Sequence, residues 1–169
     1  MTPHGDPLAN DLAPGVKEAR EELRRLRLLW AFGCTTPLIY LLVAHGVDLA
    51  WFRKSGAGLL TLSVAGHAYV SAAFAAVGVI LASIVATLRI LPVRRAPDAK
   101  PGLAAAAGAF RRRVVVMVAL SDLTACLGLV HFLLAGDLRA VLAGGVAAYL
   151  LYAVSHPSRA FFARAAKLL

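Results

Sequence analysis

Charge is what this chain has least of. Only 16% of its residues are Asp, Glu, Lys or Arg, where a soluble domain carries about 25%. That scarcity argues against a surface built for water. Cysteine is also scarce. The two present, Cys34 and Cys126, fall in different apolar runs at different depths. They form no CxxC or zinc pattern, so a disulfide framework is excluded and both read as apolar filler. The sequence has no Gly-x-x-x-x-Gly-Lys loop, which removes the usual nucleotide cradle. It has no Ser/His/Asp arrangement, no paired carboxylates and no metalloprotease helix motif. An enzymatic role is therefore not expected. Its basic groups carry no aromatic interleaving, so nucleic acid is not an expected partner either.

What the chain has in abundance is apolar sequence. The hydrophobic fraction is 60% and the mean hydropathy +0.74. A bilayer core needs roughly 20 apolar residues of helix. Leu28–Val47, Ser55–Leu88 and Ala140–Ser158 contain no charged residue, and Val114–Gly136 contains only Asp122. The runs are continuous rather than alternating, and open sheets cannot satisfy their backbone in lipid. The expected fold is all-α: a polytopic membrane protein with four transmembrane helices in a bundle. The spans are expected over about residues 28–51, 59–91, 114–135 and 138–154, within a transmembrane domain covering 16–157. A kink is expected near Pro37.

Lysine and arginine set the orientation. Fifteen of the eighteen fall in the segment before the first span, the connection over 92–113 with Arg89, and the segment after the fourth span. Arg53, Lys54 and Arg139 alone lie on the other side. The positive-inside rule places both termini in the cytoplasm. The location expected is a bacterial inner (cytoplasmic) membrane, with the lipid bilayer as the first partner. Residues 1–15 read as a disordered tail and not as a signal peptide, because they lack a basic start and a defensible cleavage site. Residues 92–110 read as a cytoplasmic linker. Residues 158–169 read as an interfacial amphipathic tail, with Phe161 and Phe162 against Arg159, Arg164 and Lys167.

Three residue groups could carry function. Asp122 lies nine residues past Arg113, about 13 Å along a helix and near the midplane of a core about 30 Å thick. An acid there costs roughly 3 kcal/mol and belongs on the bundle interior, where desolvation favours the neutral form. It could exchange a proton, or cement helices through Thr87, Thr124 or Tyr152. His45, His67 and His131 come from three spans and could hold a haem or a metal through imidazole nitrogens. Small residues recur on two helix faces: Ser71, Ala75, Gly78, Ala82 and Ala86, and then Ala140, Gly144 and Ala148. Such faces allow close approach of helices in lipid, so a homo-oligomer or a membrane-protein partner is expected.

The segment ALSDLTACLGLVHFLLAG, Ala119–Gly136, resembles the carboxylate helix of the rotor-ring proteolipid of ATP synthases and their vacuolar relatives. The acid would be Asp122, followed by the hydrophobic stretch Gly128-Leu129-Val130. The Ser71–Ala86 helix is similar to the small-residue helix that precedes it in that family, and the pair would join on the cytoplasmic side. The connection here is longer, two further spans flank the pair, and repeated glycines are absent. The resemblance implies a hairpin within a membrane assembly that handles ions through the carboxylate. Three roles follow from the sequence: a non-enzymatic subunit or accessory of a larger or homo-oligomeric assembly, a proton- or ion-handling component using Asp122, or a haem or metal carrier using the histidines.

The topology has a direct test. In a background lacking Cys34 and Cys126, Ser55→Cys should react with an impermeant thiol reagent applied from outside. Ala99→Cys should react only after the membrane is opened. The reverse pattern would refute the orientation.

Overall fold

The computed structural model describes residues 14–55, 58–60, 62–91, 103–158 and 161. The tail expected over 1–15 lies outside them except for its last two residues. So does most of the amphipathic tail expected over 158–169. Among the described residues there are helices and no strands. They are α1 (Pro14–Gly33), α2 (Thr36–Val47), a π-helical turn (Asp48–Phe52), the short α3 (Arg53–Ser55), α4 (Val64–Ile90), α5 (Leu103–Ala135) and α6 (Leu138–Ser155). Four helical stretches are long and apolar enough to cross a membrane: Arg20–Phe52, Val64–Ile90, Ala107–Ala135 and Leu138–Ser155.

The first stretch is broken, as Pro37 predicts. α1 stops at Gly33 and α2 restarts at Thr36, with Pro37 near its N-terminus, where a missing N–H does no harm. The break is satisfied locally: the Thr35 N–H and Oγ1 both donate to the Phe32 carbonyl, at 3.0 and 2.7 Å. α4 begins at Val64, later than the expected residue 59, because Ser63 caps it by accepting from the Gly66 N–H at 3.1 Å. Leu59 and Leu60 serve another purpose. Their N–H groups donate to the Leu133 and Leu134 carbonyls, both at 3.0 Å, covering carbonyls that the end of α5 would leave unpaired. α5 starts at Leu103, inside the stretch expected to be a linker over 92–110. The Ala104–Ala107 run is strongly helix-forming and simply extends the helix backwards.

The α5–α6 connection is the tight turn expected at Gly136-Asp137. Gly136 takes a φ of 74°, which glycine adopts without strain. Asp137 then caps α6 by accepting from the Arg139 N–H at 3.0 Å. This end of the molecule is called the turn end below.

α5 is the central helix and packs against α1, α2, α4 and α6. Its closest partner is α6. A Cβ built on Gly128 would lie 2.7 Å from the Ala140 carbonyl oxygen and 3.1 Å from the Gly144 Cα. One built on Gly144 would lie 2.9 Å from the Gly128 Cα. The two backbones therefore touch. Ser121 and Thr124, buried on α5, return their hydroxyls to the Met117 and Leu120 carbonyls at 2.8 and 3.0 Å, so neither hydroxyl is stranded. One apolar core gathers Leu26, Val114, Met117, Val118 and Leu151. A second, nearer the turn end, gathers Ala44, Phe52, Phe132 and Val141.

The opposite end is basic and tied by arginines. Arg27 Nε donates to the Pro157 carbonyl (3.3 Å), Arg89 Nη1 to the His156 carbonyl (3.4 Å) and Arg113 Nη1 to the Leu91 carbonyl (2.6 Å). Arg89 also stacks over the Phe161 ring at 3.8 Å, and Phe161 packs on Phe110. Phe161 is thus buried between α4 and α5 residues. Trp30 Nε1 donates to the Tyr152 carbonyl at 2.8 Å, which covers one of the last carbonyls of α6.

The glycine contact generates a test. Gly128→Leu should force α5 from α6 and cost at least 1–3 kcal/mol or so, by the usual range for overpacking. Gly78 on α4 has open space around a built Cβ, so Gly78→Ala should be neutral or stabilising by up to about 1 kcal/mol. Thermal unfolding in detergent reads both. Equal effects would show that the α5–α6 contact is not tight.

Candidate functional site

The break in the first span is what builds a polar site around Asp122. Restarting the helix at Thr36 brings two hydroxyls onto one face, because Thr36 and Tyr40 stand at i and i+4. Both interact with the Asp122 carboxyl from α2. Tyr152, from the last turns of α6, is within electrostatic reach of the same carboxyl, and Thr36 approaches its hydroxyl. Three elements thus converge on one acid: α2, α5 and α6.

Satisfaction of the site is incomplete. Asp122 Oδ1 and Tyr152 Oη are shielded from solvent and have no hydrogen-bond partner among the described residues. Tyr152 is 1% exposed. Its ring is pinned from below by Gly33, whose built Cβ would lie 3.0 Å from it. The absence of a side chain at Gly33 makes room for that ring. Buried polar groups are nearly always paired, and an orphan pair on adjoining helices needs an explanation. Arginine and lysine side chains form no ion pair with Asp122 among the described residues. The site can therefore hold a proton or a small cation with hydroxyl oxygens around a carboxyl, and a neutral acid there can donate as well as accept.

Of the hydrogen-bond partners expected for Asp122, Tyr152 comes within electrostatic reach without a hydrogen bond. Thr124 is committed to the Leu120 carbonyl. Thr87 is exposed on α4. Thr36 and Tyr40 were not anticipated. Their signal was present, since a Thr-Thr-Pro sequence inside an apolar run marks a break, and Tyr40 follows at one helical turn.

The histidines sit apart in role. His131 is buried on α5; its Nε2 pairs with Ser71 Oγ of α4 at 3.2 Å, and its ring stacks on Phe74 at 5.0 Å. His45 is exposed on α2, and His67 is half-buried near the start of α4. No group of three or more His, Cys, Asp or Glu side chains suited to a metal occurs among the described residues.

The small-residue faces divide between two uses. On α6, Gly144 and Ala140 make the contact with Gly128, and Ala148 is buried. On α4, Ser71, Ala75, Gly78 and Ala82 line a cleft of about 510 Å³ between α4 and α6, floored by Thr124, Gly128 and His131 of α5. Ala86, the last residue of that face, is exposed. The acid and the small-residue face of α4 therefore meet different sides of α5.

Searches against family models, curated proteins and solved structures found no match to this chain.

The orphan hydroxyl gives a prediction. Tyr152→Phe removes a shielded group without a partner and keeps the ring, so the thermal midpoint should stay unchanged or rise. A fall of several degrees would show that the hydroxyl is hydrogen-bonded.

Proposed function

We propose that this chain is a non-enzymatic multi-pass membrane protein, with both termini in the cytoplasm, that takes up and releases a proton at Asp122. The observation that carries the reading is the shielded, unpartnered Asp122 Oδ1 on a carboxyl met by two hydroxyls from the restarted helix α2. In hydrocarbon a broken helix is tolerated where it is buried or lines a site, and broken helices recur where ions bind. Intramembrane acids are expensive and unusually often functional. Here the break supplies the Thr36 and Tyr40 hydroxyls that steady the carboxyl. Tyr40 meets the carboxyl, is half-buried and can both donate and accept, so it is the neighbour through which the proton would leave. The site also suits a subunit of a larger or homo-oligomeric assembly. The exposed Ala86 on α4, outside the cleft, favours that setting, and particle mass in detergent reads it.

The test is proton flux into liposomes under an imposed potassium diffusion potential, followed with a pH-sensitive dye. The protein should conduct. Asp122→Asn should abolish flux while leaving folding and assembly intact, because asparagine cannot exchange a proton near neutral pH. A hydrophobic carbodiimide, which modifies protonated carboxyls in lipid, should label Asp122 and leave Asp122→Asn unlabelled. An Asp122→Asn protein with undiminished flux would refute the proposal.

A further inference from the structure

The cleft between α4 and α6 is independent of the Asp122 site and differs from it in every respect that matters for a ligand. Its walls are almost wholly apolar. Its polar residues are not scattered. Asp137 and Arg139 stand at the turn end, and the Ser71–His131 pair lies one to two helical turns further in. Beyond that pair only small and aliphatic side chains and the capped Thr124 hydroxyl remain.

The length of the cleft decides what fits it. Along α4 it runs from Ser71 to Ala82, about 16 Å of helix. A bilayer core is about 30 Å thick. The groove is therefore one leaflet deep. A helix from a second copy would gain nothing from polar groups gathered at one end of an apolar groove. A membrane lipid needs only what is present: a charged mouth, a polar step and an apolar channel in that order. The volume of about 510 Å³ falls within the usual range for small-molecule sites.

We propose that this cleft is a binding site for one membrane phospholipid, drawn from the leaflet on the turn side. Its phosphate meets the Arg139 guanidinium. Its ester region lies at the Ser71–His131 pair, whose mutual hydrogen bond leaves one donor free for a carbonyl oxygen. One acyl chain runs down the channel past Ala75, Gly78 and Ala143. The small residues of α4 are in this account a channel wall, which is why they make so little contact with other helices of the same chain.

The experiment is native mass spectrometry of the detergent-purified protein, with palmitoyl-oleoyl phosphatidylglycerol as the probe. One lipid per chain should remain bound after mild delipidation. Gly78→Phe should lower the bound fraction about tenfold, because its ring enters the channel while the backbone around Gly78 has room for a Cβ. Arg139→Gln should weaken binding less, in line with a single phosphate contact. Equal retention by the protein and Gly78→Phe would overturn the proposal, as would a dimer that Gly78→Phe dissociates. A second readout does not depend on the variants. The same lipid with a diazirine on its acyl chain should crosslink to α4 and α6 residues of the cleft. Labelling spread equally over the exposed Phe32 and Leu42 faces would overturn it.

Discussion

The contact on which the rest of the structure depends is the touch between Gly128 of α5 and Gly144 of α6. In lipid there is no hydrophobic gain from hiding leucine against leucine, so helices associate through close packing and hydrogen bonds. A glycine opposite a glycine lets two backbones meet, and neither position has room for a methyl group. That contact fixes the depth of α6 against α5. It places Tyr152 level with Asp122, and it sets the Gly136 turn that joins the two helices. α1 then reaches α6 through Trp30 and packs on α5 through Leu26 and its neighbours. α4 is held at one end by Arg89 and Arg113, and near the other by Ser71 on His131.

The break at Cys34–Thr35 is the second constraint, and its logic is one of backbone satisfaction. Proline at 37 has no N–H for the Gly33 carbonyl four residues back, and the helix gives way just before it. The Thr35 N–H and hydroxyl both turn to the Phe32 carbonyl. The consequence lies on the next residue: α2 restarts so that Thr36 and Tyr40 face the acid. The polar site follows from the break, and the break follows from one proline and two threonines.

Much of this was legible in the sequence, for reasons that can be stated residue by residue. Charge-free runs reveal four helices because no other element stays apolar for so long. Gly136-Asp137 reveals a turn because glycine tolerates φ > 0 and aspartate caps. Asp122 stands out because it is alone. What the sequence hides is rotation about each helix axis. Periodicity marks the α4 small-residue face but not what it faces, and the structure turns it towards an open cleft where close packing was expected. The same ambiguity covers the three histidines, of which His131 is buried against Ser71, His67 is half-buried and His45 is exposed. Helix starts were also hidden. Leu59 and Leu60 are apolar enough to read as helix, and their backbone is used to cover the end of α5.

The arrangement of the two sites follows from helix geometry alone. Asp122 and His131 are nine residues apart. At 3.6 residues per turn that is two and a half turns, so they point to roughly opposite sides of α5. One side of α5 meets α2 and holds the acid; the other meets α4 and floors the cleft. α6 lies across both. Its Tyr152 belongs to the first site, while Ala140, Gly144 and Ala147 border the second. Because Gly144 is seated on Gly128 with no slack, α6 cannot slide along α5 at one site and stay fixed at the other. A rigid, glycine-locked helix pair thus carries one polar pocket and one apolar groove as two faces of a single unit.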